Sequence, residues 1–390
     1  MATDLKGIVL LHDGVRGHLN QSRGVARAIS RKVHCPIFDF QVPELYPLRK
    51  YFARKIANRL ETASEAYEWL DFFAGENFLK RIIQALAKHH IKIANNGILI
   101  MSAGSAAAPF NLALSIALHV QNATIMTPTY LGTAPFDFAI VPEHDSPDDE
   151  PNVFVTMGAP NIIEKEYLQK EAKKLLDELG ETDDEEGADL GKRWSVLIGG
   201  DDQNYTIDGD WMLKTLSSII VFAQSHDAYL YITTSRRTSP AAESSLLKIK
   251  GKTDRIRYIL LASKDKFNPI PAMLGFSETV FVTDDSVNMV SEAITGGTVP
   301  VLLKAKRKTG LKAKLQYLTK KLVERGWFTH DFLWGVPRFD EVFSRFMAKG
   351  LLLSFDDWKE NILSGKRQLK ISSNFNEAAR AADWILNNRK

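Results

Sequence analysis

The sequence predicts an α/β protein of two doubly wound, Rossmann-like domains that face each other across a cleft. Three observations support this prediction. The chain has 390 residues, which suits about two domains better than one core. Short apolar runs alternate with stretches of helical length, which is typical of parallel sheets with right-handed crossovers. An acidic segment that contains glycines, residues 178–192, separates the two halves and indicates an exposed linker.

In the first half of the chain, apolar runs predict strands and the stretches between most of them predict helices. The predicted strands are 7–11, 36–40, 98–101, 123–126, 138–141 and 153–156. The predicted helices are 19–32, 46–60, 64–90 and 106–119. Residues 97–120 carry no Asp, Glu, Lys or Arg, and their length alone would suit a membrane span. Because Gly104, Ser105 and Pro109 interrupt them, we expect a strand, a turn and a buried helix.

The second half repeats this architecture without repeating the sequence. Its predicted strands are 194–198, 229–233, 257–260, 279–282 and 299–302, and its predicted helices are 208–225, 240–249, 269–275 and 286–295. An amphipathic pattern predicts one more helix at the end of the chain. The predicted divisions are an N-terminal domain 1–175, a linker 176–192, a C-terminal domain 193–372 and a helix 373–390 that packs back on the N-terminal domain.

Composition and charge exclude several classes of protein. Apolar residues make up 45% of the chain, charged residues 25%, and the net charge is +3, as in a globular protein without a strongly basic surface. A single cysteine, Cys35, rules out an internal disulfide and a multi-cysteine metal site. The first residues lack the pattern of a signal peptide, so a cytoplasmic location is expected. No nucleic-acid-binding motif accompanies the basic residues, so no nucleic-acid partner is expected.

The turn after the first predicted strand, within residues 10–29, combines glycines with groups that transfer protons. Gly14 and Gly17 would let the backbone approach a ligand closely. His12, Asp13 and His18 add two imidazoles and a carboxylate. The alternative is a tight turn with solvated polar residues.

Two turns of the second half carry groups that suit a phosphate. A buried strand ends at Gly199 and Gly200, and Asn204 follows in a polar loop. The next strand is followed by Arg236 and Arg237, whose paired guanidinium groups suit phosphate oxygens. The alternatives are a flexible strand end and an exposed arginine pair.

The stretch VFVTDDSVNMVSEAITGGTVPVLL, residues 280–303, is a strand, an acidic turn, a helix and a second strand. Ser286 is expected to cap the helix, and Asn288 and Glu292 share one of its faces. A carboxylate there can accept hydrogen bonds from ribose hydroxyls. Asp208 and Asp210 have the spacing of a metal-binding pair, but their place at a predicted helix start favours capping. We therefore expect no metal site.

Five segments together resemble the mitochondrial fission Elm family and its bacterial relatives, which look like GT-B glycosyltransferases. They are DGVRGHLNQ (13–21), IGGD (198–201), TTSRRT (233–238), NPIPAMLGFSETVFVTDDSVNMVSEA (268–293) and G-x-V-P (297–300). More remotely, the arrangement is similar to the peptidoglycan N-acetylglucosaminyl transferase family. That resemblance implies that Gly17 and His18 match a loop facing the acceptor, and that Glu292 matches a ribose ligand.

The first functional hypothesis is a metal-independent, inverting glycosyltransferase with a nucleotide-diphosphate sugar as donor and no cofactor. Its acceptor would be lipid-linked or a cell-surface glycan, and either His18 or Asp13 would be the catalytic base. The expected donor-binding residues are Gly200, Asn204, Arg236, Arg237, Asn268, Ser286, Asn288, Met289 and Glu292. The expected acceptor-side residues are Gly14, Gly17, Asn20, Gln21 and Ser105.

The alternative hypothesis is a non-catalytic adaptor at a membrane surface, as in the fission branch of the family. Two basic stretches, 48–60 and 304–321, support it because either could contact anionic lipid head groups. Both hypotheses allow a protein bound peripherally to the inner face of a membrane. The sugar, the base, the acceptor and the oligomeric state stay open.

Overall fold

The computed structural model describes residues 5–94, 97–145, 147, 149–181, 191–328, 335–364 and 375–389. The chain divides into two compact units. The first comprises Met1–Ile162 and Asn376–Lys390, and the second comprises Ile163–Phe375.

The first unit is built on a parallel sheet. Its strands follow the order β2-β1-β3-β4-β5-β6. Strands β1 and β3, which are neighbours inside the sheet, are buried over almost their whole length, as expected for a parallel sheet covered on both faces. The strands are β1 (Gly7–His12), β2 (Ile37–Gln41), β3 (Ile98–Ala103), β4 (Gln121–Ile125), β5 (Phe138–Pro142) and β6 (Val153–Thr156), and a short 3₁₀ helix spans Glu143–Asp145.

Helices cover both faces of this sheet, and alternate residues of each strand enter different cores. In β1, Val9 and Leu11 pack with α2 to α5, whereas Ile8 and Leu10 pack with α1 and α14. The helices are α1 (Arg16–Val33), α2 (Pro47–Ala57), α3 (Ala63–Ala74), α4 (Asn77–Lys88), α5 (Ala108–Leu118) and α14 (Glu377–Asn388).

The prediction of one helix over 64–90 is wrong, because two helices occupy this stretch. The chain breaks at Gly75, whose φ of 87° lies outside the helical region. A capping box between Thr62 and Glu65 starts α3.

Residues 97–120 form the strand β3, a turn at Gly104 and the helix α5, as predicted. All but one of the α5 residues are buried, so this helix is apolar on every side because the core surrounds it. Among the described residues, no helix combines the length and the apolar character that crossing a membrane requires.

The C-terminal helix α14 completes the first unit. Ala381, Ala382 and Ile385 are buried in the core beside α1. At its start, the buried carboxylate of Glu377 accepts a hydrogen bond from the backbone N–H of Met157 at 2.9 Å. The last residues of the chain therefore fold with the first.

The second unit has a parallel sheet in the order β10-β9-β7-β11-β12-β14 and a small antiparallel pair, β8 with β13. Its strands are β7 (Lys192–Leu197), β8 (Tyr205–Thr206), β9 (Ala228–Thr233), β10 (Ile256–Leu260), β11 (Thr279–Thr283), β12 (Val301–Leu303), β13 (Lys306–Arg307) and β14 (Leu353–Ser354). Its helices are α6 (Lys165–Leu179), α7 (Gly209–Ser225), α8 (Pro240–Lys250), α9 (Ile270–Phe276), α10 (Val287–Thr295), α11 (Leu311–Glu324), α12 (Val336–Ala348) and α13 (Phe355–Leu363).

The division between the units falls before α6, whereas the sequence analysis places it at 176–192. The reason is close packing of α6 on α9. A Cβ atom on Gly275 of α9 would collide with the backbone of Leu168 in α6, so the two helices approach at van der Waals distance. Residues 182–190 of the predicted linker lie outside the described residues.

Every predicted strand is confirmed, with ends that differ by at most two residues. The strand order reverses between β1 and β3 in the first unit, and between β7 and β11 in the second. In open α/β sheets, ligands bind beyond the carboxyl ends of the strands at such a reversal. The loops after these four strands are therefore the candidate positions for function.

Candidate functional site

A histidine–carboxylate pair lies at the reversal point of the first unit. Nδ1 of His18, in the first turn of α1, is 2.9 Å from Oδ2 of Asp13, which follows β1. The other oxygen of Asp13 accepts a hydrogen bond from the backbone N–H of Val15 at 3.0 Å, which orients the carboxylate. Because an ionised carboxylate only accepts, this pairing puts a proton on Nδ1, and in the neutral imidazole the lone pair then lies on Nε2.

The loop after β3 supports this imidazole from behind. Gly104 has a φ of 77°, and a Cβ atom there would lie 2.6 Å from Nδ1 of His18. The ring therefore packs directly on the backbone of Gly104, and only glycine allows both the conformation and the contact. Asp13 fixes one edge of the ring and Gly104 fixes one face.

The predicted acceptor-side residues are distributed around this pair. Gly14 adopts a φ of 80° next to the side chain of Gln41, as a tight turn requires. Gly17 lies inside the first turn of α1, because that helix begins earlier than predicted. Asn20 is half-buried and Gln21 is buried on the same helix.

Ser105 joins three segments behind the pair. Its hydroxyl is 3.0 Å from the hydroxyl of Thr129, and its carbonyl accepts a hydrogen bond from Nε of Arg54 in α2 at 3.2 Å. Ser105 therefore ties α2 to the loops after β3 and β4.

His12 does not join the pair. Its Nδ1 atom is buried without a hydrogen-bond partner among the described residues. Burial lowers the pKa of the imidazole, and the charge of Arg23 adds to this, while the charges of Asp39 and Asp13 act in the opposite direction.

A cavity of about 170 Å³ opens next to the carboxylate. Asp13 and Val15 line one side of it, and Lys50, Ala53 and Arg54 of α2 line another. The other lining residues are mostly apolar: Val42, Pro43, Glu44, Leu45, Ala106, Pro109 and Phe110. The wall is thus mostly apolar, with two cations and the carboxylate of Glu44, beside the carboxylate that holds His18.

At the reversal point of the second unit, one buried carboxylate connects three turns. The side chain of Asp285, after β11, has no exposed area. It accepts hydrogen bonds from the backbone N–H of Gly200 at 2.9 Å, from the hydroxyl of Thr283 at 2.6 Å and from Nη2 of Arg237 at 2.8 Å. Burial raises the pKa of Asp285, and these three partners oppose the shift.

The two glycines after β7, Gly199 and Gly200, leave room for the Asp285 carboxylate and for the turn that carries Arg237. A Cβ atom on Gly199 would collide with the Asp285 side chain, and one on Gly200 would collide with the backbone of Arg237. The N–H of Gly200, which the sequence analysis assigned to a phosphate, donates to Asp285. The glycines therefore allow the turns to pack against each other, and the phosphate role of Gly200 stays a prediction that this hydrogen bond does not support.

The two arginines after β9 differ in their surroundings. Arg237 pairs with Asp285 while 44% of its side chain remains exposed. Arg236 is exposed and makes no hydrogen bond or ion pair with any residue that the structure describes. Arg237 has a fixed direction, and Arg236 can reorient towards an anion.

Asn204 lies in a loop that is closed by its own hydrogen bonds. The carboxylate of Asp202 accepts from the backbone N–H groups of Asn204 and Tyr205, each at 2.7 Å. The Asn204 side chain accepts from Nε2 of Gln316 in α11 at 2.9 Å. The side chain of Asn204 thus joins this loop to α11.

The basic stretch 304–321 packs on the same loop. Lys306 pairs with Asp208 at 2.5 Å, and Nζ of Lys308 donates to the carbonyl of Asp202 at 2.6 Å. Lys312 donates to Gln203. Asp208 also caps α7 through the N–H of Trp211 at 2.8 Å, which confirms its predicted capping role.

The helix α10 carries the remaining predicted donor residues. Ser286 caps it by accepting from the N–H of Met289 at 3.4 Å, which confirms the predicted cap. Asn288 and Met289 are half-buried in its first turn, and Glu292 is buried one turn further on. Before α9, the side chain of Asn268 accepts from the N–H of Ile270 at 3.3 Å.

Gly104 and Asp285 were not among the predicted site residues. A glycine after a buried strand, in SAGSA, was the available signal for Gly104. The acidic pair after β11 was the signal for Asp285, but the sequence does not show that its partners come from three different strands.

Comparison with known proteins agrees with this architecture. The sequence matches the family described as mitochondrial fission ELM1 over residues 16–388. No curated protein matches it significantly. A UDP-GlcNAc 2-epimerase from Methanocaldococcus jannaschii has a similar structure, with 13% identity, a TM-score of 0.50 and coverage of 98% of this chain and 99% of that one.

Two further structures are similar at lower scores. A UDP-GlcNAc 2-epimerase from Neisseria meningitidis, bound to UDP-GlcNAc, has 11% identity, a TM-score of 0.44 and coverage of 98% and 99%. A UDP-glucosyltransferase from Polygonum tinctorium has 11% identity, a TM-score of 0.44 and coverage of 98% of both chains. The two parallel sheets and the likeness to the Methanocaldococcus structure show a GT-B-like fold with two Rossmann-like domains.

Proposed function

The chain belongs to the mitochondrial fission ELM1 family and has a GT-B-like fold, and from these premises we propose that it is an inverting glycosyltransferase. Its donor is a nucleotide-diphosphate sugar, and the reaction requires no metal ion. The observation that carries this proposal is the His18–Asp13 pair at the reversal point of the first sheet.

His18 is the base in this proposal, and Asp13 is the residue that orients it. The pairing through Nδ1 leaves Nε2 to remove the proton of an acceptor hydroxyl. Asp13 then stabilises the imidazolium that forms. A residue that only satisfied a turn would not need a glycine behind its ring, as His18 has in Gly104.

Transfer proceeds in one displacement. As Nε2 takes the proton, the acceptor oxygen forms a bond to the anomeric carbon of the sugar. The bond from that carbon to the diphosphate oxygen breaks, and the diphosphate leaves with the electron pair. Attack from the opposite side inverts the configuration. Arg236 and Arg237 balance the developing negative charge on the diphosphate.

The second unit binds the donor. Asn288 and Glu292 hold the ribose, Asn268 and its loop hold the base, and the N-terminus of α10 after Ser286 faces a phosphate. Gly200 acts indirectly in this proposal, by letting Asp285 aim Arg237.

The acceptor carries a hydroxyl group near an apolar portion and is lipid-linked or a cell-surface glycan. The cavity beside Asp13 supports this choice, because apolar residues line most of its wall and its charged groups, Lys50, Arg54 and Glu44, can meet the polar part of such an acceptor.

Donor hydrolysis tests the base, since it does not require knowledge of the acceptor. We expect His18→Ala to slow hydrolysis of UDP-sugars by about 10²–10⁴-fold, while their dissociation constants in calorimetry stay near the parental values. His34→Asn, at the other end of α1 and exposed, is the matched control and should hydrolyse donor normally. Unchanged hydrolysis in His18→Ala would remove the base from the mechanism.

Binding of UDP and of uridine tests the donor site. Replacing Arg236 and Arg237 together with Ala should weaken UDP binding far more than uridine binding, because the lost partners are phosphate oxygens. An equal loss for both ligands would contradict a phosphate role. A protein that binds neither UDP nor any UDP-sugar would favour the membrane-surface adaptor. The basic stretch 304–321 gives the adaptor hypothesis less support than the sequence suggested, because three of its lysines bind residues of the same unit.

A further inference from the structure

The helix α2 of the first unit presents its large side chains to solvent. Only Ala53 and Ala57 of this helix are buried. By contrast, Leu48 is 70% exposed, Phe52 47% and Tyr51 43%. An amphipathic helix of a globular protein normally turns its large apolar residues towards the core, so α2 is oriented the opposite way.

Neighbouring aromatic residues extend this apolar surface. Tyr46 is 83% exposed, Tyr130 70% and Phe72 67%. The ring of Tyr51 lies 6.1 Å from that of Tyr130 and 5.6 Å from that of Phe52, both edge to face. We call these six residues the α2 patch: Tyr46, Leu48, Tyr51, Phe52, Phe72 and Tyr130. Contiguous exposed apolar surface of this kind marks an interaction site.

Cations surround the α2 patch. The helix carries Arg49, Lys50, Arg54 and Lys55 and no Asp or Glu. The guanidinium of Arg49 lies 5.2 Å from the Phe72 ring, and the ammonium of Lys55 lies 5.8 Å from the Tyr51 ring. The cations and the aromatic rings therefore form one surface.

Glu44 and Asp13 line the cavity that Lys50 and Arg54 of α2 also line, and the other acidic residues near this surface belong to the adjoining helix. Glu65, Glu68 and Asp71 lie on α3, and Glu65 is used to cap that helix. The four cations of α2 thus have no carboxylate within the helix itself.

Interfacial helices combine these properties. They carry aromatic and aliphatic side chains that enter the boundary between head groups and acyl chains, and basic side chains that meet anionic head groups. A symmetric contact between two copies of the chain would instead bring the cations of one α2 against those of the other. The charge therefore favours an anionic bilayer over a second copy.

A second helix with exposed leucines, α11, offers a comparison. Leu311, Leu315 and Leu318 are exposed, whereas the aromatic residue of this helix, Tyr317, is half-buried and accepts a hydrogen bond from Arg307. Its cation Lys312 donates to Gln203, and Lys320 lies 3.7 Å from Glu324. Within its own length, α11 resembles α2 in apolar exposure and differs from it in having no exposed aromatic ring and in carrying a carboxylate, Glu324.

We propose that the α2 patch docks the protein on an anionic lipid bilayer. Docking does not depend on the proposed sugar transfer. If both hold, docking also brings the cavity that Lys50, Ala53 and Arg54 share with Asp13 to the level of the lipid head groups.

Co-sedimentation with vesicles tests the proposal with the full chain. The parent protein should sediment with vesicles of phosphatidylcholine and phosphatidylserine and stay in solution with phosphatidylcholine alone. Leu48→Ser with Phe52→Ser should weaken vesicle binding on the order of tenfold. Arg49→Gln with Lys55→Gln should weaken it by roughly 25-fold, since each cation near an anionic surface contributes about fivefold.

Matched double substitutions on α11 distinguish docking through α2 from non-specific adsorption to vesicles. Leu311→Ser with Leu318→Ser, and Lys314→Gln with Lys321→Gln, should leave vesicle binding unchanged. An equal loss of vesicle binding in the α11 pairs and in the α2 pairs would overturn the proposal. Failure of the parent protein to bind anionic vesicles would also overturn it. A concentration-dependent dimer that dissociates in the Leu48 and Phe52 double variant would assign the patch to a second copy and would also overturn it.

Discussion

Asp284 should make the second unit less stable as the pH rises towards neutrality. Its carboxyl group lies at the end of β11 and is 2% exposed. Oδ1 accepts a hydrogen bond from the backbone N–H of Ala305 at 2.8 Å. Burial raises the pKa of Asp284 from 3.8 to about 7, the nearby charges of Asp285 and Asp340 add to this, and Ala305 and Arg307 oppose it.

The size of the effect follows from the two pKa values. Between them the folded protein keeps a proton that the unfolded chain releases, so the free energy of unfolding falls as the pH rises. A separation of roughly three pKa units at 1.36 kcal/mol each corresponds to about 4 kcal/mol, present below about pH 4 and lost above about pH 7. Asp284→Asn keeps an acceptor for Ala305 and carries no charge, so it should remove this loss.

Urea unfolding between about pH 4 and pH 8 measures the difference. We expect Asp284→Asn to match the parent at the acid end and to exceed its unfolding free energy by several kcal/mol at the alkaline end. Asp71→Asn, at an exposed position on α3, should follow the parent throughout. Parallel pH profiles for Asp284→Asn and the parent would refute the argument that burial holds a proton on this group.

Two further substitutions test the contacts at the reversal points. Gly104→Ala should abolish most donor hydrolysis while costing only about 1–2 kcal/mol of stability, because the added Cβ would lie 2.6 Å from Nδ1 of His18 at a φ of 77°. Turnover and the imidazole NMR signals check this, and a parental rate would show that the ring does not depend on Gly104. Asp285→Ala should cost about 2–4 kcal/mol in urea unfolding, since it leaves the N–H of Gly200 and the hydroxyl of Thr283 without their acceptor, while the half-exposed Arg237 can turn to water. A cost no larger than that of exposed Asp254→Ala would mean that these three turns do not depend on the carboxylate.

The strands and their alternation with helices could be predicted from the sequence because each is encoded locally. A parallel strand buried on both faces needs a continuous apolar run, as in ILIMSA of β3, and this run is visible without any knowledge of its neighbours. Capping is equally local, so Ser286 and Asp208 could be assigned in advance. The break at Gly75 was missed because its apolar flanks continue the helical pattern on both sides.

The tertiary structure decided which of the polar residues remain available to a ligand. In the sequence, the turns that contain Gly200, Arg237 and Asp285 look alike. In the structure, Asp285 accepts hydrogen bonds from residues at the ends of three strands, β7, β9 and β11. His18 and Gly104 are likewise far apart in the chain and meet because β1 and β3 are adjacent in the sheet. The physical reason is that pairing of distant parallel strands brings their carboxyl ends to one edge. Whether a donor there faces a ligand or a neighbouring side chain depends on contacts that no local pattern encodes.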